Sequence, residues 1–157
     1  MKNFYFAILK TGGVFRKFRF LTVFLFFIIP SSPAFCGSDE NDGDFYFVQV
    51  SDTHFDGGEN SRRMEAVVKA INNLPMKIEF VAITGDIMAD NILKEDIAKQ
   101  ALEILGRIKP PLSLVPGNHD ILQKKLQQTV PLYKKYFGEL SHTREVEGVV
   151  MLFVYTE

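Results

Sequence analysis

Six side chains in three short clusters carry oxygen and nitrogen chemistry in this sequence. They are Asp52 and His54 in Ser51-Asp52-Thr53-His54, Asp86 in Gly85-Asp86, and Asn118, His119 and Asp120 in Gly117-Asn118-His119-Asp120. Carboxylate, imidazole and amide-oxygen groups are ligands for borderline divalent cations, and imidazole also carries a proton near neutral pH. Asp52 and His54 stand two residues apart at the end of an extended run. Their side chains therefore leave on the same side and can reach a single cation. Taken singly the clusters are ordinary, since a D-x-H reads as a loop Asp with an exposed His and Gly-Asp is a common turn. Their placement sets them apart. Each closes an apolar run, with 34 residues from Asp52 to Asp86 and 32 from Asp86 to Asn118, and two of the three histidines fall within them.

The elements that must position these residues follow from periodicity. Phe45 to Val50, Ile78 to Thr84 and Leu112 to Val115 read as buried strands. Between the first two, Met64, Val67, Val68, Ile71 and Leu74 mark a helix over Ser61 to Leu74, ended by Pro75. Between the second and third, Ile97, Ala101, Ile104, Leu105 and Ile108 mark a helix from about Leu93 to Ile108, stopped by Pro110-Pro111. Beyond the third strand, Asp120 to Gln128 and Pro131 to Phe137 read as two short helices. Val146 to Val149 reads as a turn into a last strand over Val150 to Tyr155. The fold class is α/β: a βαβαβ parallel sheet with flanking helices, whose strand ends bring the three clusters to one edge.

The clusters resemble the opening motifs of the calcineurin-like metallophosphoesterases, D-x-H, G-D-x-x and G-N-H-D/E. Here these stand as Asp52-Thr53-His54, Gly85-Asp86-Ile87-Met88 and Gly117-Asn118-His119-Asp120. The family's later lone His and G-H-x-H have no counterpart in this chain. The resemblance thus covers about residues 45–157 as the N-terminal half of such an α/β sandwich. It implies that Asp52 and His54 hold a first metal, Asp86 bridges two metals and Asn118 binds the second. It also implies that His119 acts on the substrate, with Asp120 orienting its ring. The implied reaction is hydrolysis of a phosphomono- or phosphodiester by a hydroxide that two metals activate, and O and N ligands suit divalent or mixed-valence Mn, Fe or Zn.

Departures from the family narrow the reading. Phe55 stands where nucleotidase-like members have Gly, and Ala89 where purple acid phosphatases have a ligand Tyr. Asp90 reads as a solvated loop carboxylate, with a supporting role behind the ligands as the alternative. His142 lies in no motif and reads as a surface residue. With the later motifs missing, the site is expected to be incomplete, the chain poorly active alone and a fragment of a longer reading frame. The sheet's second face is expected to lie open, exposing apolar surface. The alternative is a truncated or degenerate, non-catalytic binding module.

Charge and targeting complete the picture. Residues 1–36 hold five basic and no acidic residues, leaving thirteen basic against nineteen acidic in residues 37–157. An acidic body without a basic stripe argues against a nucleic-acid-binding surface, but not against a phosphate-ester substrate, because metals supply positive charge. The basic residues precede the apolar Phe20 to Ile29, too short to span a bilayer and suited to a signal peptide over residues 1–36, with an uncleaved N-terminal anchor as the alternative. Residues 37–44 read as a linker and residues 45–157 as the partial phosphoesterase domain. The expected location is exported, periplasmic or secreted, with membrane attachment only through an uncleaved N-terminal segment. Cys36 is the only cysteine, so any metal in the body is held by O and N ligands.

Overall fold

The computed structural model describes residues 45–156, together with two short strands, β1 (Ile8–Lys10) and β2 (Leu21–Thr22). The remainder of residues 1–36, where a signal peptide is expected, and residues 37–44, where a linker is expected, lie outside the described residues. The domain runs β3 (Tyr46–Val50), α1 (Glu59–Asn72), β4 (Ile78–Thr84), α2 (Glu95–Leu105) and β5 (Leu112–Val115). A 3-10 turn (Gln123–Lys125), α3 (Leu126–Phe137), β6 (His142–Val146) and β7 (Val149–Phe153) follow.

The parallel sheet expected from the apolar runs is present, in the order β2-β3-β4-β5. Val48 lies opposite Val81, and Ile83 opposite Leu114, with an irregularity between Tyr46 and Phe47. Alternation along β4 explains why its sequence is apolar throughout. Val81 and Ile83 face the helices, with Met64, Val68, Ala101, Leu105 and Tyr133, while Phe80 and Ala82 face the other way. A strand buried on both faces has no solvent side to mark with polar residues. The helices run Glu59–Asn72 and Glu95–Leu105, with Lys94 at the cap and Gly106 after the last turn of α2. Asn72 ties them together: its side chain donates to the carbonyl of Arg107 and accepts from the N–H of Lys109.

Two expectations are corrected. The segment after β5 forms a three-residue 3-10 helix (Gln123–Lys125) and one longer helix, α3, which continues through Pro131, instead of two short helices broken before that proline. The N–H groups of Asp120 and Ile121 are taken up in a turn by the Gly117 carbonyl, and the hydroxyl of Thr129 accepts the N–H of Leu122 while donating to the carbonyl of Lys125. The buried face formed by Thr129, Tyr133, Tyr136 and Phe137 outweighs the one backbone hydrogen bond that a proline forfeits.

The second face of the sheet is also covered. β6 and β7 form an antiparallel hairpin, extended by β1, in a second sheet. Glu147 (φ 50°) and Gly148 (φ 73°) make its two-residue turn, the left-handed pair that a tight hairpin requires. Val149, Met151 and Phe153 pack against Phe47, Phe80 and Val115. Phe80 stacks on Phe47 (centroids 4.7 Å, 7°) and meets Phe153 edge-on (6.1 Å, 85°). Arg144 of β6 donates to Ser113 Oγ and to the Leu112 carbonyl, both at 2.7 Å, clasping the hairpin to β5. His142 opens β6 and stacks flat on Phe153, with ring centroids 4.8 Å apart.

Candidate metal centre

The ends of β3, β4 and β5 lead into three turns, and hydrogen bonds between backbones lock the first turn to the second. The N–H groups of Asp52, His54 and Phe55 donate to the carbonyls of Gly85, Asp86 and Ile87 at 3.1, 2.9 and 2.7 Å, and Ala89 returns a bond to Phe55. Thr53 adds its hydroxyl to the carbonyl of Ile87. Fully buried Phe55 anchors this lattice, which explains a large apolar residue directly after the D-x-H. Among the described residues, four of the five non-glycine residues with positive φ lie here: Asp52 (58°), His54 (43°), Asp86 (53°) and Asp90 (58°). Each such conformation costs on the order of 1–3 kcal/mol and persists where surrounding bonds impose it.

The third turn is pressed against the second. A Cβ on Gly117 would overlap Oδ1 of Asp86 and lie 2.6 Å from its backbone nitrogen, so only glycine fits. The N–H of His119 donates to the same Oδ1 at 3.0 Å. As a result His54, Asp86 and His119 each bring a ligand atom within 4.8 Å of the other two. Atoms bound to one ion at about 2.1 Å lie at most about 4.2 Å apart, so slight side-chain rotations close the set around a cation. An imidazole–carboxylate–imidazole set suits Mn, Fe or Zn, and the residues present therefore fit a metal. The two imidazoles meet edge-on, with centroids 4.7 Å apart.

The other expected site residues take different positions. Asp52 is exposed; its Oδ1 lies 3.8 Å from His54 Nε2, while Oδ2 accepts the hydroxyl of Ser51. It borders the cluster through His54. Asn118 is exposed on the third turn, beside His119. Asp120 does not orient the His119 ring. Its fully buried carboxylate accepts three backbone N–H groups instead: Met88 at 2.7 Å, Gly117 at 2.9 Å and Ile87 at 3.1 Å. Burial pushes this carboxyl up to about 6, against the opposing pull of those donors. The ring partner of His119 is Asp90, with Oδ1 2.9 Å from Nδ1. That bond places the proton of a neutral ring on Nδ1 and leaves Nε2 for other work.

Two contributors lie outside the motifs. Asp90, which the sequence reads first as a solvated loop carboxylate, takes the supporting role that is its alternative reading. Asn60, the second residue of α1, donates from Nδ2 to the carbonyl of His54 at 3.0 Å, and nothing in the sequence marks it. His142 joins no ligand group among the described residues.

Residues 45–154, most of the chain, match the family model for calcineurin-like phosphoesterases. The chain belongs to that family. Among curated proteins it is similar to the serine/threonine-protein phosphatase CPPED1 of Homo sapiens, at 30% identity, and of Bos taurus, at 26%. In both cases 94% of this chain aligns with 52% of the relative. The chain thus spans about half the length of the curated relatives it matches.

Proposed function

We propose that the cluster is the core of a phosphoesterase site, hydrolysing a phosphate monoester or diester around two divalent cations. The observation that carries this reading is the convergence of His54, Asp86 and His119 at the carboxyl edge of a parallel sheet. Asp52 and His54 would hold one cation and Asn118 another, with Asp86 shared between them. When bound, such cations supply positive charge at the phosphoryl oxygens and a water acidic enough to act as nucleophile near neutral pH. The chain's own residues do the rest. Of the convergent set, His54 and Asp86 would serve a cation, while His119 faces the substrate with Nε2. With its ring protonated, His119 either stabilises charge on the phosphoryl group or passes the Nε2 proton to the leaving oxygen. Asp90 holds the ring through Nδ1, and the locked backbone of the three turns keeps the donors in place before substrate arrives.

The printed name of the mammalian relatives, serine/threonine-protein phosphatase, makes a phosphoserine or phosphothreonine peptide the first natural substrate to try. Export remains part of the proposal, supported by the basic residues ahead of Phe20 to Ile29 and tested by N-terminal sequencing of protein recovered outside the cytoplasm. The activity test is hydrolysis of p-nitrophenyl phosphate and bis-p-nitrophenyl phosphate by the full chain with Mn2+. Turnover abolished by EDTA and by Asp86→Asn supports the reading. Turnover indifferent to both contradicts it.

A further inference from the structure

We propose that Asp120 is a positioning residue that fixes the spacing of two ligand-bearing turns and so sets the cation affinity of the site. The inference rests on the metal reading above and concerns a residue that touches neither metal nor substrate. Oδ1 of Asp120 accepts the N–H of Met88, while Oδ2 accepts those of both Ile87 and Gly117. A single carboxylate therefore binds the turn leaving Asp86 to the turn that presents Asn118 and His119. It is fully buried, so its oxygens serve the backbone and no ligand.

The spacing it holds is narrow from both directions. The turns cannot approach, because Gly117 already lies against Asp86 with no room for a Cβ. They cannot separate without stretching the two hydrogen bonds that Ile87 and Met88 donate to the charge-bearing Asp120 carboxylate and the bond from His119 N–H to Asp86 Oδ1. The segment after Asp86 begins in a left-handed conformation and lies beyond the last residue of β4, so the sheet ladder does not satisfy its amides. Buried amides need partners, and Asp120 provides them. An Asn has one acceptor oxygen and would turn an NH2 group toward a backbone donor. It has nearly the same volume but cannot hold all three bonds.

Isothermal titration of Mn2+ into the full chain compares wild type, Asp120→Asn and Leu105→Ala, with folding of each metal-free protein checked by circular dichroism. Leu105, buried in the last turn of α2, makes none of these bonds and serves as a destabilised control. Mn2+ binding is expected to weaken roughly 10- to 100-fold in Asp120→Asn and to stay at the wild-type level in Leu105→Ala. Equal affinity in Asp120→Asn and wild type overturns the proposal alone. A wild-type chain that binds no Mn2+ overturns the metal reading and the proposal with it. Amide exchange in the wild-type chain decides the matter without a variant. The N–H groups of Ile87, Met88 and Gly117 are expected to be protected in EDTA, with little change on adding Zn2+. If they exchange freely until Zn2+ is added, the cation sets the turns and the proposal falls.

Discussion

Asp90 Oδ1 stands 2.9 Å from Nδ1 of His119, so a residue on the turn after β4 fixes the ring of a residue on the turn after β5. The pair is partly solvated, and its value lies in ring orientation more than in stability. Asp90→Asn is expected to lower kcat by about 10- to 100-fold, a fraction of what a positioned acid–base group contributes. KM should change little, and so should the unfolding midpoint. Steady-state kinetics with p-nitrophenyl phosphate, set beside a urea melt, checks both halves of the statement.

Metal binding should be visible as stability. A cation held by the folded chain alone adds about 2.7 kcal/mol when its free concentration is a hundred times Kd. Mn2+ should therefore raise the thermal midpoint and EDTA should reverse the rise. In Asp86→Asn the rise should vanish, because Asp86 supplies the only carboxylate of the convergent set. Differential scanning fluorimetry across a Mn2+ series reads this directly.

Asn60 holds the carbonyl of His54, a residue whose backbone sits at φ 43°. Removing that bond should cost about 1 kcal/mol of stability. It should also weaken Mn2+ binding, since His54 loses a constraint on its conformation. Calorimetric titration of Asn60→Ala tests the second effect, which a purely structural contact would not produce.

His142 gives the hairpin a pH dependence. Burial, and then the charge of Arg144, hold its ring below the usual histidine range. A folded-state value below the unfolded one means that the unfolded chain binds the proton more readily. The contribution is thus present above about pH 6.5, the ordinary histidine value, and is lost as pH falls through the folded value. His142→Phe keeps a ring against Phe153 and should flatten this part of the profile. Urea midpoints between pH 7.5 and 5 show whether it does.

The frame β3–α1–β4–α2–β5 was legible because each element writes its own period: short apolar runs for strands and three- and four-residue steps for helices. The meeting of one residue from each cluster, His54, Asp86 and His119, was legible because parallel topology places successive strand ends on one edge. Long-range partners were not. Asp120 follows His119 directly, yet the turn sends its side chain inward to backbone donors thirty-odd residues away in sequence. Asp90 was read as solvated because only the meeting of two turns gives it the ring of His119. The cover over Phe47 and Phe80 was missed because β6 is a polar edge strand. His142-Thr143-Arg144-Glu145-Val146 shows no apolar alternation, and its pairing with β7 is set by the turn at Glu147-Gly148.

That cover should matter energetically. Phe80 is fully buried and carries the contacts between sheet and hairpin. Phe80→Ala should cost about 3–5 kcal/mol, read as a shift in the urea midpoint.

The central claim is that the turns after β3, β4 and β5 build a metal centre. Crystals of the full chain grown with Mn2+ and measured at the manganese absorption edge test it most directly. The account predicts an anomalous peak within coordination distance of both His54 and Asp86. A well-ordered site with no anomalous density beside those two residues would contradict it.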